Sequence, residues 1–486
     1  MFLLLGIAGP ATGQDRPNIL LCVADDWGWP HAGAYGDAVA QTPAFDRLAR
    51  EGLLFEHAFV SSPSCTPSRN ALITGQQFYR LDEGANLQST LDVRHPNFMR
   101  LMEQAGYRIG HHRKVLGPAV FAAGGYGRFP AGPGVSFEKF MKQRGESEPF
   151  CFWLGTSDPH RPYDTGSGTR AGIEVTADQV PDFLPDVETT RSDLADYYHE
   201  VQRWDQDVAR AIALLEESGE LENTIIVMTG DNGMPFPRAK GALYDWGARE
   251  PLAIRWGAGI EAPGRTVSHF VSLIDLAPTF LEAAGAEVPP EMTGQSLLPI
   301  FRNDAQAIAQ QERDFAVMGR ERHAAAQEMP SLAGYPSRAI RTQRYLYILN
   351  LVPERWPHGV PANATHPIGR HADTDDGPTK AFIFEHRDDP EYERFYELCF
   401  ARRPAEELYD IESDPAQVHN LAADTEHRET ARRLRARLEE YLRQTGDPRF
   451  TDQPVLFDEY PYRDPRIHQR IREWQQRQTG QADPNE

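Results

Sequence analysis

The 486 residues, 40% hydrophobic and 25% charged, suffice for one large and one small packed domain and exclude a disordered chain. A formal net charge of −21 excludes nucleic acid and anionic membranes as partners, and requires that any anionic ligand be held by a local basic pocket. Four cysteines (Cys22, Cys65, Cys151, Cys399) are too few for a disulfide scaffold, and beyond the first residues no run of about 18 apolar residues marks a membrane helix.

Residues 1–8 are apolar and lead into Gly-Pro-Ala-Thr-Gly, the h-region and cleavage zone of a secretory signal without its basic n-region. Residues 1–15 are therefore read as a truncated signal peptide, and the protein as periplasmic or secreted. Asn18-Ile19-Leu20-Leu21-Cys22-Val23 is a continuous apolar run of strand length, as a central parallel strand should be. It ends in Asp25-Asp26. Ligands of open α/β sheets bind beyond the carboxyl ends of strands, so this pair is either a cation site or an exposed acidic turn. Residues 42–49 read as a helix with Pro43 in its first turn and Phe45, Leu48 and Ala49 on one face.

Ser64-Cys65-Thr66-Pro67-Ser68-Arg69, followed by Ala71-Leu72-Ile73, places a lone cysteine at a helix entrance. Pro67 suits the first helical position, Ser68 can satisfy free amides, and the first-turn amides point at any anion beside residue 65. The alternative is an inert buried thiol.

Residues 106–117 hold a basic cluster between glycines and read as a loop. Residues 150–154 are a further apolar strand, running into Asp158-Pro159-His160-Arg161-Pro162, where a histidine between prolines is an unusual core filler. Residues 191–218 form a long helix with a capping box from Thr190 and Asp193. Leu194, Tyr197, Val201, Trp204, Val208, Ile212 and Leu215 line one face, and Gly219 ends it. Thr224-Ile225-Ile226-Val227-Met228-Thr229 then repeats the buried-strand pattern and ends in Gly230-Asp231-Asn232-Gly233. Three carboxylates and an amide oxygen at two strand ends make a hard site suited to Ca²⁺ or Mg²⁺, whereas zinc favours nitrogen or sulfur.

Composition shifts beyond about residue 298. Residues 302–313 are helix-prone, 345–349 a strand and 353–376 a loop rich in Pro, His and Asp. A helix with Leu434, Leu438, Tyr441 and Leu442 on one face follows, and the last 25 or so residues either wrap the surface or are disordered.

Together these motifs resemble the type I, formylglycine-dependent sulfatase family. CTPSR resembles its CxPSR signature, whose cysteine a maturation enzyme oxidises to a formylglycine aldehyde. NILLCVADDWG and IIVMTGDNG resemble its two metal segments, and TPAFDRLAREGLLF resembles its TPxxDxLAxEGxxF string. The His160 segment resembles its PHxP element, Lys240 to Pro251 its K-x-x-x-Y-x-x-G-x-R-x-P element, and ELYD with the later SDP and NLA its closing string. The likeness runs almost without a gap from residue 16 to about 298. Within the family it is most like heparan N-sulfatase (sulfamidase) and its bacterial relatives, through DPHRP, RSDLADYYHEVQRWDQ, DNGMPFP and LYDWG.

The resemblance implies an α/β fold with an alkaline-phosphatase-like central mixed sheet flanked by helices and a smaller C-terminal α+β domain. The expected division is a catalytic domain over 16–330, a subdomain over 331–460 and a tail over 461–486. Asp25, Asp26, Asp231 and Asn232 become ligands of Ca²⁺, with Mg²⁺ as the alternative. Cys65, as the formylglycine precursor, Arg69, Lys114, His160 and Lys240 become the catalytic set. Arg249 is either a substrate contact or a loop brace, and Asp375 and Asp376 are candidate contacts to sugar hydroxyls or an amine. Two departures stand out at the first lysine: the residue before it is Arg113 where glycine is usual, and the histidine usual two residues after it is Leu116, leaving His111 or His112 as stand-ins. The implied activity is hydrolysis of sulfate from a sulfated sugar or oligosaccharide, exo-acting on an N-sulfated glucosamine. In it the metal, Arg69, Lys114 and Lys240 neutralise charge, a hydrated aldehyde attacks sulfur, and His160 and Lys240 assist the leaving group. The alternatives are an O-sulfatase acting on an algal or host polysaccharide, a phosphate or phosphonate ester hydrolase, and a non-catalytic sulfoglycan-binding protein should Cys65 stay unmodified.

Overall fold

The computed structural model describes residues 16–145, 147–311, 313–361 and 368–479, so the expected signal peptide lies outside the described residues. β1 (Asn18–Val23) is an interior strand, buried along its whole length. In chain order follow β2 (Leu53–Phe59), β3 (Arg108–His112), β4 (Phe150–Gly155), β5 (Thr224–Thr229), β6 (Leu252–Arg255) and β7 (Arg265–Ser272). They form one sheet in the order β3-β4-β1-β5-β6-β2-β7, in which β6 alone runs antiparallel to its neighbours. The unbroken apolar runs of β1, β4 and β5 are explained by this placement, since both faces of these strands are covered. Side chains alternate faces along a strand. Ile19, Leu21 and Val23 thus join one core with Trp153 and Val227, while Leu20 and Cys22 join the other with Phe152, Ile226 and Trp204.

A second, antiparallel sheet is built from β8 (Phe315–Arg320), β9 (Ser337–Thr342), β10 (Tyr345–Asn350) and β11 (Glu406–Asp410), in the order β11-β10-β9-β8. Met318, Ala339, Leu346 and Ile348 pack into the first core, while Val317, Ile340 and Tyr347 pack against Leu434, Leu438 and Leu442 of the helix Arg428–Gln444. One face therefore fuses the small sheet to the large one, and the other is roofed by that helix. The mixed central sheet with flanking helices and a smaller α+β part is the expected fold class.

Several local readings are corrected. Residues 108–112, expected as loop, form edge strand β3, because hydrogen bonding to β4 outweighs the glycine signals at 106 and 110. The long helix spans Glu188–Glu217, starting earlier than its supposed capping box; Val187 is the cap residue and makes no side-chain cap bond. Asp193 instead accepts both Nη groups of Arg161 at 2.8 Å and the hydroxyl of Thr379 at 2.6 Å. Pro67 is not the first helical residue, since the helix Cys65–Thr74 begins at the cysteine itself. From residue 460 the chain lies over the turn after β8: Arg322 donates to the carbonyls of Tyr460 and Pro461, and Tyr462 and Ile467 pack with Ala325. The helix Pro465–Thr479 follows, an element that the polar composition did not suggest.

Candidate active site

β4, β1 and β5 are adjacent and parallel, so their carboxyl ends open on one edge of the sheet. That edge carries Asp25 and Asp26 after β1, His160 after β4, and Asp231 and Asn232 after β5. Asp26 adopts a left-handed backbone at φ 71°, a region that short polar side chains tolerate. Its N–H donates to Asp231 Oδ1 at 2.9 Å, and Asn232 Nδ2 donates to Asp26 Oδ1 at 2.8 Å, which binds the two strand ends together. Gly233 is needed where the chain leaves this edge: a Cβ there would lie 1.9 Å from the carbonyl of Trp246.

Residue 65 opens its helix against this cluster. Cys65 is 2% exposed, with Sγ 3.5 Å from Asp25 Oδ1 and 4.0 Å from Asp26 Oδ1. Burial, reinforced by the carboxylates of Asp25 and Asp231, pushes the thiol well above its ordinary range. As a cysteine it is thus held protonated and is a poor nucleophile. Ser64, the cap residue, does not bond the helix amides; its Oγ lies 2.8 Å from His323 Nδ1.

Three cations face the carboxylates. Arg69 is fully buried and donates from Nε to Asp231 Oδ2 at 2.6 Å, from Nη1 to Val115 O at 2.8 Å and from Nη2 to Ala24 O at 3.0 Å. Its donors are thus taken up by protein groups, and it braces the site and contributes charge. Lys114 Nζ straddles both oxygens of Asp25 at 2.5 and 2.6 Å, and Lys240 Nζ lies 2.8 Å from Asp26 and 2.8 Å from Asp375. The Lys114 side chain is 22% exposed and that of Lys240 only 3%, so Lys114 is the more accessible of the two. Burial by itself raises both aspartates. At Asp25 the charges of Lys114, His160 and Arg69 outweigh it and hold the carboxyl below its usual range, whereas Asp26, beside Lys240 but also beside two other carboxylates, stays raised.

His160 Nδ1 lies 2.5 Å from the carbonyl of Arg161. A carbonyl only accepts, so Nδ1 carries the proton and Nε2, 3.9 Å from Asp26 Oδ2, is the nitrogen turned to the site. Arg161 holds this turn in place through Asp193 and, from Nε, the carbonyl of Pro235 at 2.9 Å.

Asp25, Asp26, Cys65, Arg69, Lys114, His160, Asp231, Asn232, Lys240 and Asp375 are thus brought together. Two expected substrate contacts are not. Arg249 directs its guanidinium to the carbonyl of Glu56 and to Asp245 at 3.5 Å, with Trp29 stacked 3.6 Å below, so it braces the loop. Asp376 is 97% exposed and pairs with Lys380 at 2.8 Å. Neither stand-in histidine reaches the cluster. His111 stacks on Phe129 with centroids 4.3 Å apart, and His112 lines a surface hollow with Arg113 and Asp207, while Leu116 is packed in the core. What the sequence reading missed is His323, three residues beyond β8 and beside Lys240. Its only signal was position just past a strand, and that strand belongs to the smaller sheet.

The residues fit a hard cation. Ligand atoms of Asp25, Asp26, Cys65 and Asp231 lie within 4.8 Å of one another, and Asn232 Oδ1 is buried with no hydrogen-bond partner, an acceptor waiting for a donor or a cation. The carboxylates of Asp25, Asp26, Asp231 and Asp375 outnumber the cations Arg69, Lys114 and Lys240 by one, so a divalent ion would turn the pocket net positive, as anion binding requires.

A family model described as Sulfatase matches residues 17–286, and one described as N-sulphoglucosamine sulphohydrolase, C-terminal, matches residues 238–350. The chain is 29% identical to human N-sulphoglucosamine sulphohydrolase, over 92% of this chain and 93% of that protein. It is 27% identical to an ulvan-active sulfatase of Formosa agariphila, over 89% of this chain and 76% of that protein. A solved structure with its substrate D-glucosamine-2-N,6-O-disulfate bound superposes with a TM-score of 0.61 at 22% identity, covering 89% of this chain and 98% of that one. The phosphonate monoester hydrolase of Agrobacterium radiobacter also superposes with a TM-score of 0.61, at 17% identity over 88% and 96% of the chains; at such identities the likeness speaks for the fold. With the signature cysteine lodged among the acids and cations of one buried pocket and a family model spanning most of the large sheet, the chain belongs to the sulfatase family.

Proposed function

We propose that the protein removes sulfate from the end of a sugar chain, acting on an N-sulfated glucosamine, with Ca²⁺ or Mg²⁺ bound by Asp25, Asp26, Asp231 and Asn232. The observation that carries this reading is Asp375, a carboxylate 2.8 Å from Lys240 and grouped with His160 and Asp26. Hydrolysis of a sulfamate leaves an amine that takes up a proton, and a carboxylate beside the leaving group favours the resulting ammonium. The likeness to N-sulphoglucosamine sulphohydrolase over nearly the whole chain supports the same choice. The recessed pocket in an acidic protein suits a chain end better than the interior of a polyanion.

When bound, the cation supplies charge neutralisation at a sulfate oxygen. The aldehyde that a maturation enzyme would form at residue 65, once hydrated by water, would supply the nucleophilic hydroxyl that the protonated thiol cannot. The chain does the rest. Lys114, from the accessible side, and Lys240, from the buried side, bind and orient the sulfate group. Arg69 holds the helix of residue 65 against Asp231 so that this geometry exists before substrate arrives. His160, with Nδ1–H fixed on the Arg161 carbonyl, acts in its imidazolium form, delivering the second proton from Nε2 to the departing nitrogen or oxygen and remaining as the neutral Nδ1–H ring. Residues 1–15 support export of the protein.

The test is release of free sulfate from N-sulfoglucosamine beside a panel of O-sulfated mono- and oligosaccharides and long chains. Turnover of an O-sulfated sugar alone would overturn the nitrogen preference, and release from internal positions would overturn the exo assignment. The second reading, a carbohydrate O-sulfatase, is favoured by the likeness to the ulvan-active sulfatase.

A further inference from the structure

The pocket lacks an imidazole at position 116, yet the small sheet delivers one from the opposite side. His323 is 6% exposed, and its ring lies over Gly241, the residue after Lys240, with a Cβ built on that glycine 3.9 Å from His323 Cγ. Nδ1 is held by Ser64 Oγ at 2.8 Å, directly before residue 65. The backbone is pinned on either side: Arg322 N donates to Asn86 Oδ1 at 3.0 Å, and Ala324 N to Asp373 Oδ1 at 2.6 Å. Among the described residues, no partner engages Nε2.

This is a costly place for a structural histidine. The charged and titratable groups that face it are Lys240, Arg320 and His160, which oppose a positive ring, and Asp375, which favours one. Burial, followed by Lys240, takes its pKa down to about 3, so the ring is neutral near neutral pH. An apolar side chain of similar size would fill the space without the cost of desolvating an imidazole. An imidazole gains there only if something negative arrives, and the pocket is built to admit an oxyanion.

We infer that His323 is an anion-linked proton acceptor: with Nδ1–H donating to Ser64 Oγ, its Nε2 takes a proton from solvent when a sulfate group occupies the pocket and returns it when sulfate leaves. The inference rests on reading this pocket as the sulfate site. A bound anion reverses the balance of charge around the ring, whereas Ser64 keeps Nδ1 oriented in both states.

The experiment uses full-length, Ca²⁺-loaded protein with Cys65 unmodified, so that no turnover intervenes. Inorganic sulfate is titrated calorimetrically in buffers of different ionisation enthalpy between pH 7 and pH 5, and the buffer dependence of the heat reads protons taken up per sulfate. The expected result is uptake that grows toward pH 5, on the order of half a proton per site, and that is lost in His323→Gln while sulfate still binds. Uptake that persists in His323→Gln and vanishes in His160→Gln overturns the inference and assigns the proton to His160. Binding without any uptake in the wild type also overturns it, whereas no binding at all overturns the sulfate-site reading itself. Ser64→Ala leaves the imidazole but frees Nδ1, and should move the pH midpoint of uptake by at least half a unit; an unmoved midpoint counts against the role of Ser64. Should His323→Gln not fold, histidine side-chain NMR of the wild type with and without sulfate decides the matter, since His323 must be the ring whose nitrogen shifts report protonation.

Discussion

Arg69 Nε lies 2.6 Å from Asp231 Oδ2, with both side chains sealed from solvent. One belongs to the helix that begins at residue 65 and the other to the end of β5, so this pair sets where the nucleophile stands relative to the metal ligands. Because the remaining donors of Arg69 go to the carbonyls of Val115 and Ala24, a lysine would keep the charge and lose the fork. Arg69→Lys is expected to lower kcat/KM by roughly 10²-fold and to lower the melting temperature, because a buried pair loses its geometry. Kinetics beside thermal denaturation checks this; wild-type kcat/KM in a stably folded variant would contradict it.

Peptide mass spectrometry of protein matured in a competent host should find an aldehyde at residue 65, and Cys65→Ala should lose activity by ~10³-fold or more. Full activity with an intact thiol would mean that the buried, protonated sulfur is not the precursor.

Exhaustive chelation should abolish turnover, and Ca²⁺ or Mg²⁺ should restore it. Adding the ion at about 100 times its dissociation constant should stabilise the fold by ~2.7 kcal/mol, as binding to the folded state alone requires. Asp231→Ala should remove both effects. A chelated protein shown free of metal that turns over normally would refute the site.

Asp375→Asn keeps the shape but removes the charge shared with Lys240. On an N-sulfated substrate, kcat/KM is expected to fall by ~10- to 100-fold, with a smaller loss on an O-sulfated one, because only the amine product gains from the carboxylate. Equal losses on both substrates would reduce Asp375 to a holder of Lys240.

Stability should fall on acidification. Burial takes His31, His57 and His371 down to about 4, and His57 is stacked on Phe270 with ring centroids 4.5 Å apart. An unfolded histidine titrates near 6.5, so below that pH the unfolded chain binds protons that the fold refuses. Their stabilising contribution is complete above about pH 6.5 and is lost as pH falls toward 4, by up to ~3 kcal/mol for each residue. Melting temperature measured from pH 7 to pH 5 should drop, and His57→Phe should flatten the curve. A melting temperature independent of pH over this range would sink the argument.

By itself the sequence determined the strands and the ends at which chemistry would stand, because an apolar run of strand length followed by polar residues is a local signal. Asn18 to Val23 before Asp25-Asp26, and Thr224 to Thr229 before Asp231-Asn232, could be read without knowing what either run packs against. So could the cysteine before a helix, and the histidine between two prolines. Tertiary structure alone decided which charges meet. Lys240 and Asp26 are 214 positions apart and touch only because β1 and β5 are neighbours; Asp375 and His323 join them because the small sheet is fused to the first core. The same physics explains the errors. Asp193 reads as a helix cap from its spacing, but a buried arginine nearby is the stronger partner for a carboxylate. Arg249 and Asp376 lie in suitable motifs, yet the direction of a side chain depends on the partners the fold brings to it, and these partners, Glu56 and Lys380, hold them away from the pocket. Residue types and spacing can state what chemistry a chain carries, but the distances at which charges act arise only when distant segments are packed together.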